Sequence, residues 1–326
     1  ITITILTFFL LNCSKKKFNH EKDAFMPVGE HFQKRSEIMG WMRKIESENP
    51  LFIKLEYFGS SYKGQIANEK NMVAIEIFNK LKKPAFDIVI TAGIHARELI
   101  TTYTIKKITC EIIYKIRLRD AFWISYIDKI RIIIIPVMNP DGYDMAIKGW
   151  NWRKNCRIHK YRPVYFAPDS YGVDFNQNFD VFFKNVFNEF SLIWGGPYPF
   201  SEPETVAIRD YLLNKKVLLS LNLHSYGRYI LFPWLGKINV KIEDYDKHIR
   251  IGRILASKME RYKLFEKGLT YEVYGNFGDW MYKTHKCLTF TIEIGNVFNP
   301  DKELTENWYE EVKPGILYLI SSIGSF

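Results

Sequence analysis

Two histidines and a glutamate stand out because their types and spacing suit metal binding. His95 and Glu98 lie three residues apart, directly after the apolar segment DIVITAG and at the expected start of a helix. This spacing lets an imidazole and a carboxylate reach one ion from the same turn. His224 ends the apolar segment LSLNLH. Each residue alone is more often structural, but together they form the two-histidine, one-carboxylate set of a catalytic zinc site, which leaves a coordination position open for water.

Short apolar segments rich in β-branched residues predict the buried strands that would position these side chains. They are residues 87–92, 131–137, 217–223 and 288–294. Helical spacing over 36–45 and 98–116, and a capping-box pattern that begins at Ser201, predict three helices, whereas 59–64 and 139–142 read as turns. A buried strand that feeds a helix is the unit of a parallel or mixed sheet. We therefore expect an α/β fold, a single domain with a mixed, mostly parallel β-sheet and helices on both faces.

The composition is that of one large folded domain. The chain has 326 residues, 47% of them hydrophobic, which is enough to bury a large core. The net charge is +10, but acidic and basic residues are interleaved along most of the chain. This pattern favours an ordinary basic surface, and no compact nucleic-acid-binding motif is visible. We expect a monomer that does not bind nucleic acid.

Several further motifs give the chain a family resemblance from about Tyr57 to the C-terminus. They are GIHARE, NPDGY, WRKN, GVDFNQN, FSEPET, NLHSY, the segment 271–280 and TFTIE, in that order. In this order the chain resembles the zinc metallocarboxypeptidases of the A/B type. The resemblance implies one zinc ion bound by His95, Glu98 and His224. It also implies hydrolysis of the C-terminal peptide bond of peptides and proteins by metal-activated water.

The resemblance also implies roles for residues around the metal. Glu293 in TFTIE matches the general base, which takes the proton of the water and passes it to the leaving amine. Arg153 in WRKN matches the arginine that polarises the scissile carbonyl and stabilises the oxyanion. Asp174 matches the carboxylate that orients His95. The peptide bond from Ser225 to Tyr226 is expected to be cis.

For the substrate, the resemblance implies a second group of contacts. Asn176 and Tyr271 match residues that bind the free C-terminal carboxylate, and Tyr271 would close over the bound residue. Arg97 matches an arginine along the path of the substrate, although a surface ion pair explains it equally well. Tyr226 and Phe298 are expected to line the cleft.

One position departs from the family pattern. The motif that binds the terminal carboxylate normally reads Asn-Arg, and here it reads Asn176-Gln177. Glutamine offers only neutral donors, and loss of a charge-assisted pair costs about 1.5 to 3 kcal/mol. Three interpretations follow. Arg228 or Arg97 substitutes for the missing cation, the substrate is a modified or cell-wall peptide, or the protein is a secreted binding protein without catalytic activity.

The pocket for the terminal side chain is marked by Gly278, which matches the floor of the specificity pocket in the family. Because Gly278 carries no charge, an apolar or aromatic terminal residue is the expectation. Glu266 and Glu272 lie nearby in the sequence and would favour a basic residue instead if they faced the pocket.

The N-terminal residues ITITILTFFLLNC are almost entirely apolar, and a basic run follows them. This pattern predicts the apolar region of a signal peptide, and because the chain begins with Ile1 its basic start is expected to be missing. A buried first strand is the alternative. We expect a truncated signal peptide and short linker over 1–20 and a zinc carboxypeptidase catalytic domain over 21–326. The protein is expected to be secreted, without stable membrane insertion, and a lipid anchor on Cys13 is the less favoured alternative.

Overall fold

A computed structural model describes residues 26, 28–158, 171–185, 188–237, 240–266 and 271–323. The predicted signal peptide over 1–20, with Cys13, lies outside these residues. The helices are α1 (Arg35–Glu48), α2 (Tyr62–Ile66), α3 (Leu99–Arg117), α4 (Ala121–Ile127), α5 (Pro140–Ala146), α6 (Pro203–Leu212), α7 (Tyr245–Ser257), α8 (Phe277–His285) and α9 (Lys302–Ser322). The strands are β1 (Ile53–Gly59), β2 (Met72–Ile77), β3 (Phe86–Thr91), β4 (Ile130–Ile135), β5 (Val217–His224), β6 (Tyr229–Leu231), β7 (Lys263–Leu264) and β8 (Leu288–Glu293).

The strands form one eight-stranded sheet in the order β1-β2-β4-β3-β5-β8-β6-β7. The central strands β4, β3, β5 and β8 are parallel neighbours, and β7 runs parallel to β6. The pairs β1 with β2, β2 with β4, and β6 with β8 are antiparallel. The prediction of a mixed, mostly parallel sheet in a single α/β domain is therefore confirmed.

Helices cover both faces of this sheet because successive side chains of its inner strands alternate between two apolar layers. Ile88, Ile90 and Leu221 are buried in the layer that contains residues of α1, α3, α7 and α9. Val89 and Ile133 are buried in the other layer, with residues of α6 and α8. Burial on both faces explains the apolar runs IVI of β3 and IIII of β4. The carboxyl ends of β3, β5 and β8 lie next to one another.

Two segments that were expected to be turns are helix starts instead. α5 begins at Pro140, and the side chain of Asn139 caps it by accepting the Gly142 N–H at 3.0 Å. Asparagine as the cap and proline in the first turn both favour a helix start. The residue types that predicted a turn therefore begin a helix here. In the segment 59–64, Ser61 caps α2 in the same way and accepts the Gly64 N–H at 3.0 Å.

The predicted capping box at the start of α6 is not formed. The helix begins at Pro203, and the preceding Glu202 makes no side-chain cap bond. Ser201 Oγ donates to Glu202 at 2.8 Å, and the Glu204 carboxylate accepts the N–H of Tyr62 at 2.8 Å. The side chains that would form the box are therefore bonded to other partners, one of them from a distant part of the chain.

Two further observations concern cysteines and hydrophobic length. The three cysteines in the described ranges, Cys110, Cys156 and Cys287, are free. No helix within the described residues has the length and apolar character needed to cross a membrane.

Candidate active site

The side chains of His95, Glu98 and His224 converge at the carboxyl ends of β3 and β5. Their ligand atoms all lie within 4.8 Å of one another, and all three residues are buried. The Nδ1 atoms of the two histidines face the same carboxylate, His95 at 2.7 Å and His224 at 3.3 Å. This arrangement fits a metal ion, because two imidazole nitrogens and a carboxylate oxygen are zinc ligands and no other such group of three occurs in the described part of the chain.

The backbone between β3 and α3 brings His95 and Glu98 to this point. Gly93 has a φ of +65°, a conformation that favours glycine, and its N–H donates to Thr101 Oγ1 at 3.1 Å. Glu98 is the N-cap residue of α3, so its side chain leaves the helix at the sheet edge. The Ser225 N–H, directly after β5, donates to the second oxygen of Glu98 at 3.0 Å. The carboxylate therefore joins the ends of two strands.

Electrostatics keep Glu98 ionised. Burial opposes ionisation, but His95 and His224 outweigh it and hold the pKa of this carboxyl well below its usual range. A buried anion between two imidazoles is a favourable site for a cation.

Asp174 links His95 to Arg153. Its Oδ1 lies 3.3 Å from Nε2 of His95, on the side of the ring away from Glu98. Its Oδ2 accepts Nε–H and Nη2–H of Arg153 at 3.0 and 2.9 Å. Burial would raise the pKa of Asp174, but Arg153 and His95 together hold it well below its usual range. Burial lowers the pKa of Arg153, but Asp174 outweighs this effect and raises it. The guanidinium therefore stays charged beside the three candidate metal ligands.

Glu293 is the last residue of β8 and lies beside His224, its partner in the strand register. Burial raises the pKa of Glu293 to about 7, while His224 lowers it and Glu98 raises it further. A carboxyl whose pKa lies near neutrality can take up and release a proton at working pH. Glu293, the base expected from the sequence, thus lies at the end of β8 next to one of the candidate metal ligands.

The residues expected to contact the substrate lie on several loops around this point. Asn176 accepts the N–H of Phe277, the first residue of α8, at 3.0 Å. Tyr271 is 51% exposed. Tyr226 is also exposed, and its ring packs against Phe298 with 4.8 Å between the centroids. The cis peptide bond from Ser225 to Tyr226 is found as predicted.

Arg97 packs on the same aromatic side of the cleft. Its guanidinium lies over the ring of Phe298, 4.2 Å from the centroid, and Nη1 donates to Asn151 Oδ1 at 3.0 Å. Arg97 is buried, so its interpretation as a surface ion pair is wrong. Asn151 was not predicted from the sequence, although it lies in the same GWNWRKN segment as Arg153.

The structure also shows the partners of the charged residues that were considered for binding the C-terminal residue of the substrate. Gln177 is buried, at 7% exposure. Arg228 donates from Nε and Nη2 to the carboxylate of Glu311 at 3.1 and 3.2 Å, so it is engaged with α9. The two acidic residues that lie near Gly278 in the sequence also have hydrogen-bond partners. Glu266 accepts from Arg253, and Glu272 from Lys184 and Tyr274.

Two polar residues on the inner strands were not singled out from the sequence. Asn222 precedes His224 by two positions on β5, and Thr291 precedes Glu293 by two on β8. Their side chains face the start of α8 near Gly278. The signal was present, because side chains two residues apart on a strand share a face.

Comparison with known proteins agrees with this geometry. The sequence model of the zinc carboxypeptidase family, Peptidase_M14, matches residues 38–313. The chain belongs to this family. Carboxypeptidase O of Bos taurus is 28% identical over 297 residues, which are 87% of this chain and 71% of the relative. Carboxypeptidase B of Homo sapiens is 26% identical over 306 residues, 89% of this chain and 69% of that one.

Solved structures share the fold of this zinc carboxypeptidase family member. A crystal structure of thrombin-activatable fibrinolysis inhibitor superposes with a TM-score of 0.78 and 23% identity, over 90% of this chain and 75% of that chain. The bovine form of that protein, in complex with tick carboxypeptidase inhibitor, gives a TM-score of 0.74 at 23% identity, over 90% and 98% of the two chains. The expected resemblance is confirmed, and the protein is a hydrolase of the zinc metallocarboxypeptidase type.

Proposed function

We propose that the protein removes the C-terminal residue of peptides and proteins, with zinc held by His95, Glu98 and His224 and with Glu293 as the general base. One observation carries the proposal. The three metal-ligand side chains meet at the ends of β3 and β5, and Glu293 lies beside His224 at the end of the next strand. His224 and Glu293 thus lie on inner strands of the sheet, and His95 and Glu98 lie on the segment that follows a third inner strand, β3.

The side chains around the metal group have the donors and charges that zinc needs. Asp174 can accept a hydrogen bond from Nε2 of His95, which leaves Nδ1 as the electron-pair donor. Glu98 is held as an anion by the two histidines. When bound, zinc supplies Lewis acidity, which lowers the pKa of water toward neutrality and polarises a carbonyl.

Glu293 would move the proton in the reaction. Its carboxylate takes a proton from the attacking water and passes it to the nitrogen of the leaving residue as the peptide bond breaks. The partly buried position at the end of β8 raises the pKa of Glu293 to about 7 and so gives the carboxyl suitable proton affinity for both steps.

Arg153 would stabilise the negative charge that develops on the carbonyl oxygen of the scissile bond. A preorganised cation is most effective where water is excluded, and Arg153 is largely buried. The two hydrogen bonds from Arg153 to Asp174 fix the orientation of the guanidinium. The same aspartate orients His95, so both groups are positioned by one side chain.

Asn176, Gln177, Tyr271, Arg97 and Tyr226 would bind the substrate, with Gly278 at the pocket for its terminal side chain. Gln177 supplies no charge to the terminal carboxylate, and Arg228 is bonded to Glu311. We therefore expect weak binding of the free carboxylate, lower in affinity by about one to two orders of magnitude than with an arginine. The assembled ligands and base favour catalysis over a role in binding alone.

The test is hydrolysis of two peptides by the zinc-loaded protein, one with a free C-terminus and one amidated. We expect release of the terminal residue from the free peptide only. Glu293→Gln should lower kcat by about 10² to 10⁴ and leave zinc bound, whereas Glu303→Gln, on the exposed start of α9, should change neither. Cleavage of the amidated peptide, or zinc binding without turnover of either peptide, would contradict the proposal.

Export, a monomeric state and the domain boundaries at 20 and 21 remain proposals that rest on the sequence. The described residues contain no helix suited to spanning a membrane. Size-exclusion chromatography with light scattering would measure the oligomeric state directly.

A further inference from the structure

Two neighbouring strands carry a polar stripe on the face that holds the candidate site. From Ser220 on β5 and from Thr289 on β8, every second residue is polar, and these residues are partners in the strand register. The pairs are Ser220 with Thr289, Asn222 with Thr291, and His224 with Glu293. The alternate residues, such as Leu221 and Ile292, are buried in the apolar layer on the opposite face. The polar side chains therefore extend below the site into the sheet.

Asn222, in the middle pair, has a polar atom without a partner. The residue is 2% exposed, and its Oδ1 accepts hydrogen bonds from Thr91 Oγ1 at 3.2 Å and Ser220 Oγ at 3.1 Å. Its Nδ2 makes no hydrogen bond within the described part of the chain. A buried amide group that lacks one partner is unfavourable, and each such group in a folded protein calls for an explanation.

The unpartnered atom lies beside Gly278 of α8, which carries no side chain. A Cβ built on Gly278 would lie 3.4 Å from Oδ1 of Asn276, 3.5 Å from Nδ2 of Asn222 and 3.6 Å from Oγ1 of Thr291, which is ordinary contact distance. Three polar atoms thus surround the position of this missing Cβ, which we call the open point, and one of them, Oδ1 of Asn276, already accepts the Asp279 N–H at 2.8 Å. The neighbouring Phe277 donates its N–H to Asn176, one of the residues proposed to bind the terminal carboxylate. The open point is therefore next to the proposed position of the last residue of the substrate.

We propose that Asn222 and Thr291 bind the side chain of the C-terminal residue and select a neutral carboxamide, glutamine in particular. This inference rests on the proposed function and names its substrate class. The middle pair lies two residues below His224 and Glu293, a depth of about 6.6 Å at 3.3 Å per residue. That depth suits the length of a glutamine side chain, whereas asparagine is one methylene shorter.

Asn222 and Thr291 form the floor of the proposed pocket, and their chemistry favours a carboxamide over other side chains. A carboxamide offers both a donor and an acceptor, so it can satisfy the Asn222 amide and the Thr291 hydroxyl together. An acidic side chain would lie below the carboxylates of Glu98 and Glu293 without a cation from the floor. A basic side chain would find no carboxylate on the floor, because its two polar residues are uncharged. The polar floor replaces the apolar or aromatic preference expected from Gly278 alone.

The first measurement is kcat/KM for peptides that differ only in the last residue, which is Gln, Met, Glu, Leu or Lys. Methionine matches glutamine in length and lacks its hydrogen bonds, so we expect a preference for glutamine over methionine of about tenfold or more. The same peptides are bound to Glu293→Gln in calorimetry, which measures recognition without turnover. Equal values for glutamine and methionine in both assays would overturn the inference and leave the proposed function intact.

Variants locate the preference on the floor. Thr291→Val keeps the shape and removes the hydroxyl, and it should bring the ratio of glutamine to methionine toward one. Gly278→Ala fills the open point and should reduce glutamine turnover through contact. Thr289→Val, one pair deeper and bonded to Cys287, is the matched control and should leave the ratio unchanged.

The two proposals fail in different ways. Release of no terminal residue from any peptide contradicts the proposed function, and calorimetry with Glu293→Gln then decides the inference separately. A ratio that stays high in Thr291→Val overturns the assignment of the floor. A preference for leucine over glutamine in both assays overturns the inference as a whole.

Discussion

A single carboxylate, that of Asp174, positions the two residues on which the proposed chemistry depends. One of its oxygens faces His95, and the other accepts two hydrogen bonds from Arg153. The aspartate is fully buried, and its backbone begins the short 3₁₀ helix that carries Asn176 and Gln177. A change at this side chain should therefore affect metal affinity and oxyanion stabilisation together.

We predict that Asp174→Asn weakens zinc binding about 10- to 100-fold, because the amide is a poorer acceptor for Nε2 of His95. It should also lower kcat, since Arg153 loses its ionic partner. Competition with a chromophoric chelator measures the zinc affinity. Asp180→Asn, at an exposed position six residues later, is the control and should behave like the parent protein. An unchanged zinc affinity in Asp174→Asn would show that the aspartate does not orient His95.

Single residues of the candidate site could be predicted from local sequence motifs, whereas contacts between distant parts of the chain could not. His95, Glu98, His224 and Glu293 were predicted because each lies in a short recognisable segment. The engagement of Arg228 was not predictable, since its partner Glu311 lies 83 positions away in the chain.

Among the elements, α5 has a start that supports the site from outside. Asn139 is fully buried, and its Oδ1 caps α5 by accepting the Gly142 N–H at 3.0 Å. Its Nδ2 donates to the carbonyl oxygen of Lys154 at 2.9 Å, directly after Arg153. The start of α5 and the loop of Arg153 are thus held by one amide.

We predict that Asn139→Ala lowers the free energy of unfolding by about 2 to 4 kcal/mol, because it removes a helix cap and leaves the Lys154 carbonyl unpaired. Urea denaturation measures this change, and kcat should fall as the Arg153 loop shifts. Asp120→Ala removes the cap of α4 at an exposed position and should cost only about 1 kcal/mol with kcat unchanged. Equal effects of the two variants on kcat would contradict the supporting role of Asn139.

Element types were predicted better than element starts. The strand predicted over 217–223 is β5, Val217–His224, and the helix predicted over 98–116 is α3, Leu99–Arg117. Long apolar periodicity specifies such elements because burial dominates them. The segment 139–142 was read as a turn, since asparagine, proline and glycine are equally at home in turns and at helix starts. The hydrogen bond from Asn139 to the Lys154 carbonyl distinguishes the helix start from a turn, and this contact lies outside the segment.

At the scale of the whole molecule, Glu204 links the start of α6 to the start of α2, which is distant in the chain. It is fully buried, and Oε1 accepts the N–H of Tyr62, while Oε2 has no partner in the described ranges. Burial raises the pKa of Glu204 to about 8, with smaller contributions from Glu202 and Asp141 in the same direction. The folded protein therefore favours the protonated form of this side chain.

This raised pKa predicts a pH-dependent stability. Because the pKa of Glu204 is higher in the folded chain than in the unfolded one, its contribution is full below about pH 4.5 and is lost as the pH rises to about 8. We expect Glu204→Gln to be more stable than the parent protein at pH 9 by a few kcal/mol, and to lose this advantage at pH 5. Thermal unfolding at both values measures it, with the exposed Glu69→Gln as the control. A gain that is the same at pH 5 and pH 9 would argue against ionisation as the cause.

The α/β class and the helical cover on both faces followed from the sequence, but the strand order did not. β4 lies between β2 and β3, so sequence neighbours are separated in the sheet, and β8 pairs with β5 across four intervening elements. An apolar pattern predicts that a strand is buried on both faces, but it does not indicate which strands lie on either side of it.

The central position of β3, β5 and β8 in the sheet has a consequence for dynamics. Both edges of the sheet, β1 on one side and β7 on the other, can fray without disturbing the strands that carry the candidate ligands and base. Amide hydrogens of the three inner strands should then exchange with solvent only when the whole domain opens, whereas those of β1 and β7 exchange through local opening. The catalytic geometry should accordingly persist through partial unfolding and vanish in a single cooperative step.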